Sequence, residues 1–367
     1  MAGLYIHIPF CKSKCGYCGF YSLPSLKLKD RFLEALKEEI FLRKNYLNNE
    51  TIHTIYFGGG TPSLLTADEI QDLLHLINTT FSVAPNAEIT LEANPDTLSL
   101  EYLHALCNLG INRLSIGIQS FFDNDLQYLS RKHDSNHARQ CLDWAKQAGF
   151  SNISIDLIYG LPTSNAEQWS RNLDIFFEYD LPHLSAYALT LEPNSILTKQ
   201  IELGKALPIN EDDALRDYDI LCRRAKENGY LHYEISNFCR RGMHSKHNAS
   251  YWFGTPYLGL GPSAHSYDGN YRQWTVASVS SSFSQEKEEL TLEQHYNEYV
   301  MLRLRTHWGI DLKWLKREMG EQFSSYCEQH AQPLIAQGRL SQTREFLYLT
   351  DEQMLFADSV AEDLFWE

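Results

Sequence analysis

The sequence predicts an α/β fold: a partial (β/α)6 barrel followed by a smaller, mostly helical, winged-helix-like domain. Three observations carry that prediction. Short apolar or β-branched runs alternate with amphipathic stretches over the first 230 residues, the pattern of buried parallel strands joined by helices. The polar and glycine-rich motifs fall directly after the strand runs, where ligands collect in such sheets. The chain has 367 residues, which at about 150 per domain leaves room for a second unit.

Taken in order, the strand runs are Leu4–Ile8, Thr54–Phe57, Glu88–Glu92, Arg113–Ile118, Asn152–Ile158 and His183–Leu189. Between them the helical periodicity is clearest over Leu28–Leu47, Ala67–Ile77, Glu101–Leu109, Asn136–Ala148 and Ala166–Phe177. Thr66 with Glu69 three residues on reads as a capping box, and Gly110 and Gly149 sit where helices should stop. These units make residues 1–230 the barrel. Residues 231–290 read as an irregular connecting region rich in Gly, His, Asn and Tyr, with Val276–Glu289 and its serine run as an exposed linker. Residues 291–367 are helical until Gly338-Arg339-Leu340 leads into the apolar run Phe346–Leu349 and a last helix. Winged helices often bind DNA, but this segment holds seven Lys/Arg against thirteen Asp/Glu, which fits a structural or lid role instead.

Hydrophobic residues at 43% and charged residues at 22% exclude disordered, collagenous and coiled-coil classes. A net charge of −15 disfavours bulk nucleic-acid binding. No apolar run approaches the ~20 residues of a membrane span, and no secretory leader pattern is visible. A cytoplasmic protein is therefore expected. In that reducing compartment, clustered cysteines among the eight read as metal ligands or catalytic groups rather than disulfides.

Cys11, Cys15 and Cys18 follow the first strand on one short loop. Three thiolates can hold three irons of a 4Fe–4S cluster and leave the fourth open. Zinc is the other reading, with His7 as a possible fourth ligand. A ferredoxin would add a fourth cysteine, and Phe20 stands where one is expected. Gly58-Gly59-Gly60-Thr61 follows the second strand and lets a ligand approach the main chain. Glu92, Gln119 and Asp156 lie in or at the ends of apolar strand runs, with Arg131 following Gln119. A buried polar group must be paired or bound, since leaving it unsatisfied costs about 1–3 kcal/mol. Cys107, Cys141, Cys222, Cys239 and Cys327 read as buried or incidental thiols.

Tyr5-Ile-His7-Ile-Pro-Phe-Cys11 with the three-cysteine spacing resembles the radical S-adenosylmethionine superfamily. More narrowly, the chain resembles oxygen-independent coproporphyrinogen III dehydrogenase (HemN) and its HemW-type heme-chaperone relatives along essentially its whole length. The resemblance implies a radical SAM barrel, a 4Fe–4S cluster on Cys11, Cys15 and Cys18, and S-adenosylmethionine cleaved to a 5′-deoxyadenosyl radical. It also implies that Tyr5, Gly59, Gly60, Thr61, Glu92, Gln119, Arg131 and Asp156 contact one or two molecules of that cofactor. Two departures from the dehydrogenase point to the HemW type: Phe20 replaces a further cysteine, and only ten residues precede Cys11, where the dehydrogenase has a long arm.

His247-Asn248-Ala-Ser-Tyr251-Trp252 matches the His-Asn-x-x-Tyr-Trp signature of HemW-like proteins, which implies a heme site. Imidazole suits heme iron as an axial ligand, and aromatic rings pack on a porphyrin face. The same residues also read as core, with a hydrogen-bonded His247, and His244 and His265 are neighbouring alternatives. Gly259–Ser266 is expected to form a tight loop closing the site. Three functions follow: a heme chaperone serving an acceptor protein, a coproporphyrinogen-decarboxylating enzyme in porphyrin biosynthesis, and an electron-transfer protein. The first is preferred over an active dehydrogenase, on Phe20 and the His247–Trp252 motif. An acidic surface permits a homodimer without requiring one.

Overall fold

The computed structural model describes residues 2–193, 195–279 and 283–367. In chain order, β1 (Ala2–Ile8) leads to α1 (Lys29–Leu42), β2 (Ile52–Gly59) to α2 (Ala67–Thr80) and β3 (Val83–Ala93) to α3 (Leu100–Asn108). Next, β4 (Arg113–Gln119) leads to α4 (Asp123–Tyr128) and α5 (Ser135–Gln147), and β5 (Ile153–Tyr159) to α6 (Ala166–Glu178). After β6 (His183–Ala188) come α7 (Ile196–Glu202) and α8 (Glu211–Glu227). Strands β1 to β6 lie side by side in sequence order, all parallel, as the βα alternation predicts.

Each strand separates two chemistries by its period of two. Leu4, Ile6, Ile8, Ile55, Phe57, Leu91, Leu114 and Ile116 point to one core under the helices and are fully buried. Tyr5 and His7 pair with Tyr56 and Gly58 on the opposite face, in phase with Thr90 and Glu92. That second face is the inside of the curl, and it is polar. The Thr66–Glu69 capping box forms as expected at the start of α2.

The expectation of an irregular region over 231–290 is corrected. It holds β7 (Leu231–Glu234), β8 (Asn237–Cys239), α9 (Lys246–Trp252), β9 (Tyr257–Leu260), β10 (His265–Tyr267), β11 (Tyr271–Thr275) and β12 (Gln285–Glu289). These extend the sheet at both edges, in the order β12-β11-β10-β9-β1 at one end and β6-β8-β7 at the other. Strands of three to five residues are too short to show a period, and their partners are distant in sequence. The linker expected over Val276–Glu289 is also corrected in part, because Gln285–Glu289 form a fully exposed edge strand. Residues 280–282 of that serine run lie outside the described residues.

The C-terminal unit comprises α10 (Leu292–Leu304), β13 (Ile310–Asp311), α11 (Leu312–Met319), α12 (Glu321–Ala336), β14 (Ser341–Gln342), β15 (Phe346–Tyr348) and α13 (Ala357–Glu362). Its three strands form their own small sheet, and Tyr296, Val300, Leu315, Phe323 and Leu347 form a core separate from the barrel's. Among the described residues no helix is long and apolar enough to cross a membrane. Cys141, Cys239 and Cys327 are buried thiols, while Cys107 and Cys222 are partly buried.

Gly259–Ser266 runs on from a strand paired with β1 and is tied to α1 and the residue that follows it. Arg43 donates to Gly259 O at 2.7 Å, Ser266 Oγ at 3.0 Å and Gln273 Oε1 at 2.8 Å. Glu39 accepts from Gly261 N at 2.7 Å and faces Arg43 at 3.6 Å, both side chains being buried. Removing one member leaves the other charge buried and uncompensated. Arg43→Met is therefore expected to cost about 3–5 kcal/mol of stability, read from urea unfolding midpoints; an unchanged midpoint would show that the pair does not hold this edge.

Candidate functional site

The cysteine loop leaves the C-terminal end of β1 and is held by distant segments. Cys11 N bonds Leu23 O at 3.0 Å, and Leu197 N, at the start of α7, bonds Gly16 O at 2.8 Å. Tyr17 packs with Leu129, Ile158, Leu189 and Leu197. All three thiols are free of disulfides. Burial, and then the neighbouring Cys15 and Cys11, push the Cys18 thiol up.

A side-chain chain links two of the sulfurs. Arg131 Nη1 donates to Cys15 Sγ at 3.4 Å, and its Nη2 donates to Asn94 Oδ1 at 2.6 Å and Gly117 O at 2.7 Å. Asn94 Nδ2 donates to Thr61 Oγ1 at 2.9 Å, and that hydroxyl donates to Cys11 Sγ at 3.5 Å. Gln119 joins the same place: a Cβ on Gly117 would lie 2.9 Å from its Nε2 and 3.3 Å from Asn94 Oδ1. Gln119 has a left-handed backbone, φ 68°, a strained state for a non-glycine and one that clusters at functional sites.

This arrangement fits a cluster better than zinc. Among the described residues no three His, Cys, Asp or Glu side chains converge as a single metal ion requires. A cubane binds its thiolates on separate irons, so its ligands stand apart. His7 offers no open nitrogen, since Nδ1 meets Tyr5 OH at 3.2 Å and Nε2 meets Tyr21 O at 3.0 Å. Arg131 Nε is buried with no partner among the described residues, a donor of the kind a bound carboxylate takes. A small polar cleft beside it is lined by Lys12, Cys15, Thr61, Asn94 and Arg131.

Beside the loop, Gly59 N donates to Glu92 Oε2 at 3.1 Å and Tyr56 OH donates to Glu92 Oε1 at 2.8 Å. Tyr5 stacks on Tyr56 at 6.1 Å. Asp156 lies further round the curl, with Ser115 Oγ donating at 3.4 Å. Burial raises Glu92 to about 7, chiefly against the Tyr56 hydrogen bond, and raises Asp156 to about 6 against the Ser185 hydrogen bond. Both remain in reach of solvent inside the curl while being enclosed by protein. The sequence reading missed Asn94 and Arg113. Arg113 is buried on β4, with Nε and Nη1 unpartnered among the described residues. Its charge inside an apolar run was the available signal.

The His247 motif lies elsewhere, at the N-terminal end of the strands. Glu88 on β3 accepts from Lys246 N at 3.2 Å and His247 N at 3.1 Å, an anion at the start of α9. His247 Nδ1 meets Thr54 Oγ1 at 2.8 Å, Nε2 meets Tyr251 OH at 2.8 Å, and the ring stacks on Tyr56 at 4.9 Å. Burial pulls its pKa down to about 3. So placed, His247 is a buried residue with both ring nitrogens hydrogen-bonded, and Tyr251 is one of its two partners. Asn248 is half-buried, its N bonding Ser245 Oγ at 3.3 Å, and Trp252 Nε1 is buried without a partner among the described residues. His265 is exposed, with its ring on Trp274 at 6.0 Å.

Comparison with known proteins gives two family matches: the radical SAM superfamily over residues 5–175 and the HemN C-terminal domain over 290–356. The chain is 33% identical to the heme chaperone HemW of Mycobacterium tuberculosis, covering 99% of this chain and 94% of that protein. It is 32% identical to HemW of Bacillus subtilis, covering 98% of each, and 32% identical to HemW of Escherichia coli, covering 98% and 97%. The fold matches coproporphyrinogen III oxidase HemN of Escherichia coli with a TM-score of 0.86 over 99% of this chain and 90% of that one, at 24% identity.

The raised carboxyls set a pH dependence. A folded-state pKa above the ordinary one means the folded protein holds its proton more tightly, so stability falls as pH rises, from about 4 to about 7. In the ligand-free protein, Glu92→Gln should match wild type in urea below about pH 4.5 and exceed it by about pH 8. Parallel curves across that range would show that Glu92 is not destabilised by its burial.

Proposed function

This chain belongs to the HemW heme-chaperone family of the radical SAM superfamily, and from that premise we propose that it binds heme and hands it to an acceptor protein. End-to-end similarity to named heme chaperones is the observation that supports this reading most, because it runs through barrel and C-terminal unit alike. A 4Fe–4S cluster is assigned to Cys11, Cys15 and Cys18, and S-adenosylmethionine to Tyr5, Gly59, Gly60, Thr61, Glu92, Gln119, Arg131 and Asp156. When bound, the cluster supplies single electrons to that cofactor.

The chain's own residues hold and orient. Arg131 places positive charge against the Cys15 sulfur, and the Thr61 hydroxyl donates to the Cys11 sulfur as a neutral partner. Glu92 fixes the Gly59 main chain, and Asn94 bridges Arg131 and Thr61 by accepting from one and donating to the other. Oxidative decarboxylation of coproporphyrinogen III is the competing reading. It draws on a fold likeness at 24% identity, which carries no activity, and Phe20 stands 69% exposed where the dehydrogenase has a cysteine.

Two measurements test the proposal. Cluster-loaded protein titrated anaerobically with heme should show stoichiometric, saturable binding and should transfer heme to a heme-depleted acceptor; absence of saturable binding with vinyl products from coproporphyrinogen III would replace the chaperone by the dehydrogenase. Cys11→Ser, Cys15→Ser and Cys18→Ser should each abolish the 4Fe–4S absorbance on reconstitution, whereas Arg131→Ala should retain iron and weaken S-adenosylmethionine binding. Full iron in the cysteine variants would remove the cluster from this loop.

A further inference from the structure

β4 ends in a strained turn. Ser120 N donates to Ile118 O at 2.9 Å, two residues back, and Gln119 between them has a φ of 68°. A bond of that span around a left-handed residue makes a γ-turn of the rare, strained kind. The β4–β5 pairing shifts register over the same stretch, between Ile116 and Gln119. Glutamine does not visit this backbone region routinely, and such a residue persists only where its surroundings over-determine it.

Two buried side chains outside the cofactor set hold that turn, one on each side of Gln119. His133 Nε2 donates to Ile118 O at 3.0 Å, so the same carbonyl takes two donors. Burial, and next the Arg131 charge, pull His133 down to about 4 and keep its ring neutral. Asp125, fully buried on α4, accepts from Ser120 Oγ at 2.7 Å. Its carboxylate also accepts from Thr163 Oγ1 at 2.6 Å and Gln168 Nε2 at 2.9 Å, which ties the turn to α6 and the segment before it. The turn in its place brings two cofactor residues together. Gln119 Nε2 and Arg131 Nη2 meet beside Gly117, where a Cβ would stand 2.9 Å from the first and 3.4 Å from the second. Arg131 lies between Asp125 and His133 in the chain and donates to Gly117 O at 2.7 Å, so α4 and its exit fold back on the strand they left.

We infer that Asp125 and His133 are positioning residues that hold Gln119 and Arg131 against the carboxylate-bearing end of S-adenosylmethionine. The inference rests on the assignment of that cofactor to Gln119 and Arg131 above. The hydrogen bonds of Asp125 and His133 go to the turn, to Thr163 and to α6 rather than to the cysteine loop, so cluster loading does not depend on them.

Equilibrium dialysis of the cluster-reconstituted full chain with S-adenosylmethionine and with 5′-methylthioadenosine tests this, beside amide hydrogen exchange of the cofactor-free chain. Asp125→Asn, of equal size but unable to accept all three donors, and His133→Leu should each bind S-adenosylmethionine about tenfold more weakly, with wild-type iron content. 5′-Methylthioadenosine, which lacks the methionine amine and carboxylate, should bind these variants and wild type alike. His133→Gln, whose amide can still donate to Ile118 O, should recover most of the loss, which a packing defect would not. Both weak binders should exchange the Ser120 amide faster than wild type. Unchanged exchange in both overturns the clamp, and wild-type affinity for S-adenosylmethionine despite faster exchange overturns its positioning role. Equal loss of both ligands also overturns it, since the defect would then not lie at the carboxylate end. A wild-type chain that binds neither ligand overturns the cofactor assignment, while the exchange rates still decide the clamp.

Discussion

The approach of β2 to β1 governs the geometry of the cysteine end of the barrel. Gly60 N bonds Ile8 O at 2.8 Å, and a Cβ on Gly60 would lie 2.7 Å from Phe10 O. A Cβ on Gly59, whose φ is 109°, would meet the His7 ring at 2.7 Å. No side chain fits between the two main chains at either position. The loops that leave β1 and β2 therefore emerge side by side, which brings Thr61 to Cys11 and lets Glu92, one strand further on, reach Gly59 N. Had this pairing slipped by one residue, every inward side chain would have turned to the helices.

Inside the curl, polarity replaces packing. The apolar half of each strand stabilises the fold against the helices, so the inner half is free to carry Tyr5, Tyr56, Thr90, Glu92 and Asp156. At one end His247 bonds Thr54 and Tyr251 while Glu88 takes the main-chain N–H groups that open α9, which anchors that helix, although Thr90 Oγ1 and two Arg113 nitrogens beside them lack partners among the described residues. At the other end satisfaction is incomplete. Arg131 Nε lacks a partner among the described residues, and both carboxyls are held above their ordinary range by burial. Such imbalance costs stability in the ligand-free chain and is relieved by a bound polar group.

Most of the barrel was legible because its elements are long and their signals local. The strand runs Leu4–Ile8, Thr54–Phe57, Glu88–Glu92 and Arg113–Ile118 all fall within observed strands, and Thr66 caps the helix it was expected to cap. Residues 231–290 were not legible as sheet, because β7 to β10 are three or four residues long and two of them pair with strands far away in sequence, as Tyr257 does with Gly3 and Cys239 with His183. Of the candidate site, the spacing of Cys11, Cys15 and Cys18 and the glycines after β2 were plain in the sequence. Asn94 was not, since an asparagine before a proline reads as a turn residue until Arg131 and Thr61 are seen on either side of it. His247 is a different case: its motif reads equally as ligand or as core in the sequence, and only the fold brings Thr54 and Tyr251 to its ring nitrogens.

The amino-acid sequence by itself determined the α/β alternation, the three-cysteine loop, the glycine cradle and the likeness to a radical SAM family, because each of these is written in a few consecutive residues. Only the tertiary structure decided which polar atoms are spent and which are open. That distinction rests on hydrogen bonds between residues 193 positions apart, as for Thr54 and His247, or 116 apart, as for Cys15 and Arg131. A side chain's chemistry is local, but its unsatisfied valence depends on neighbours that folding alone supplies.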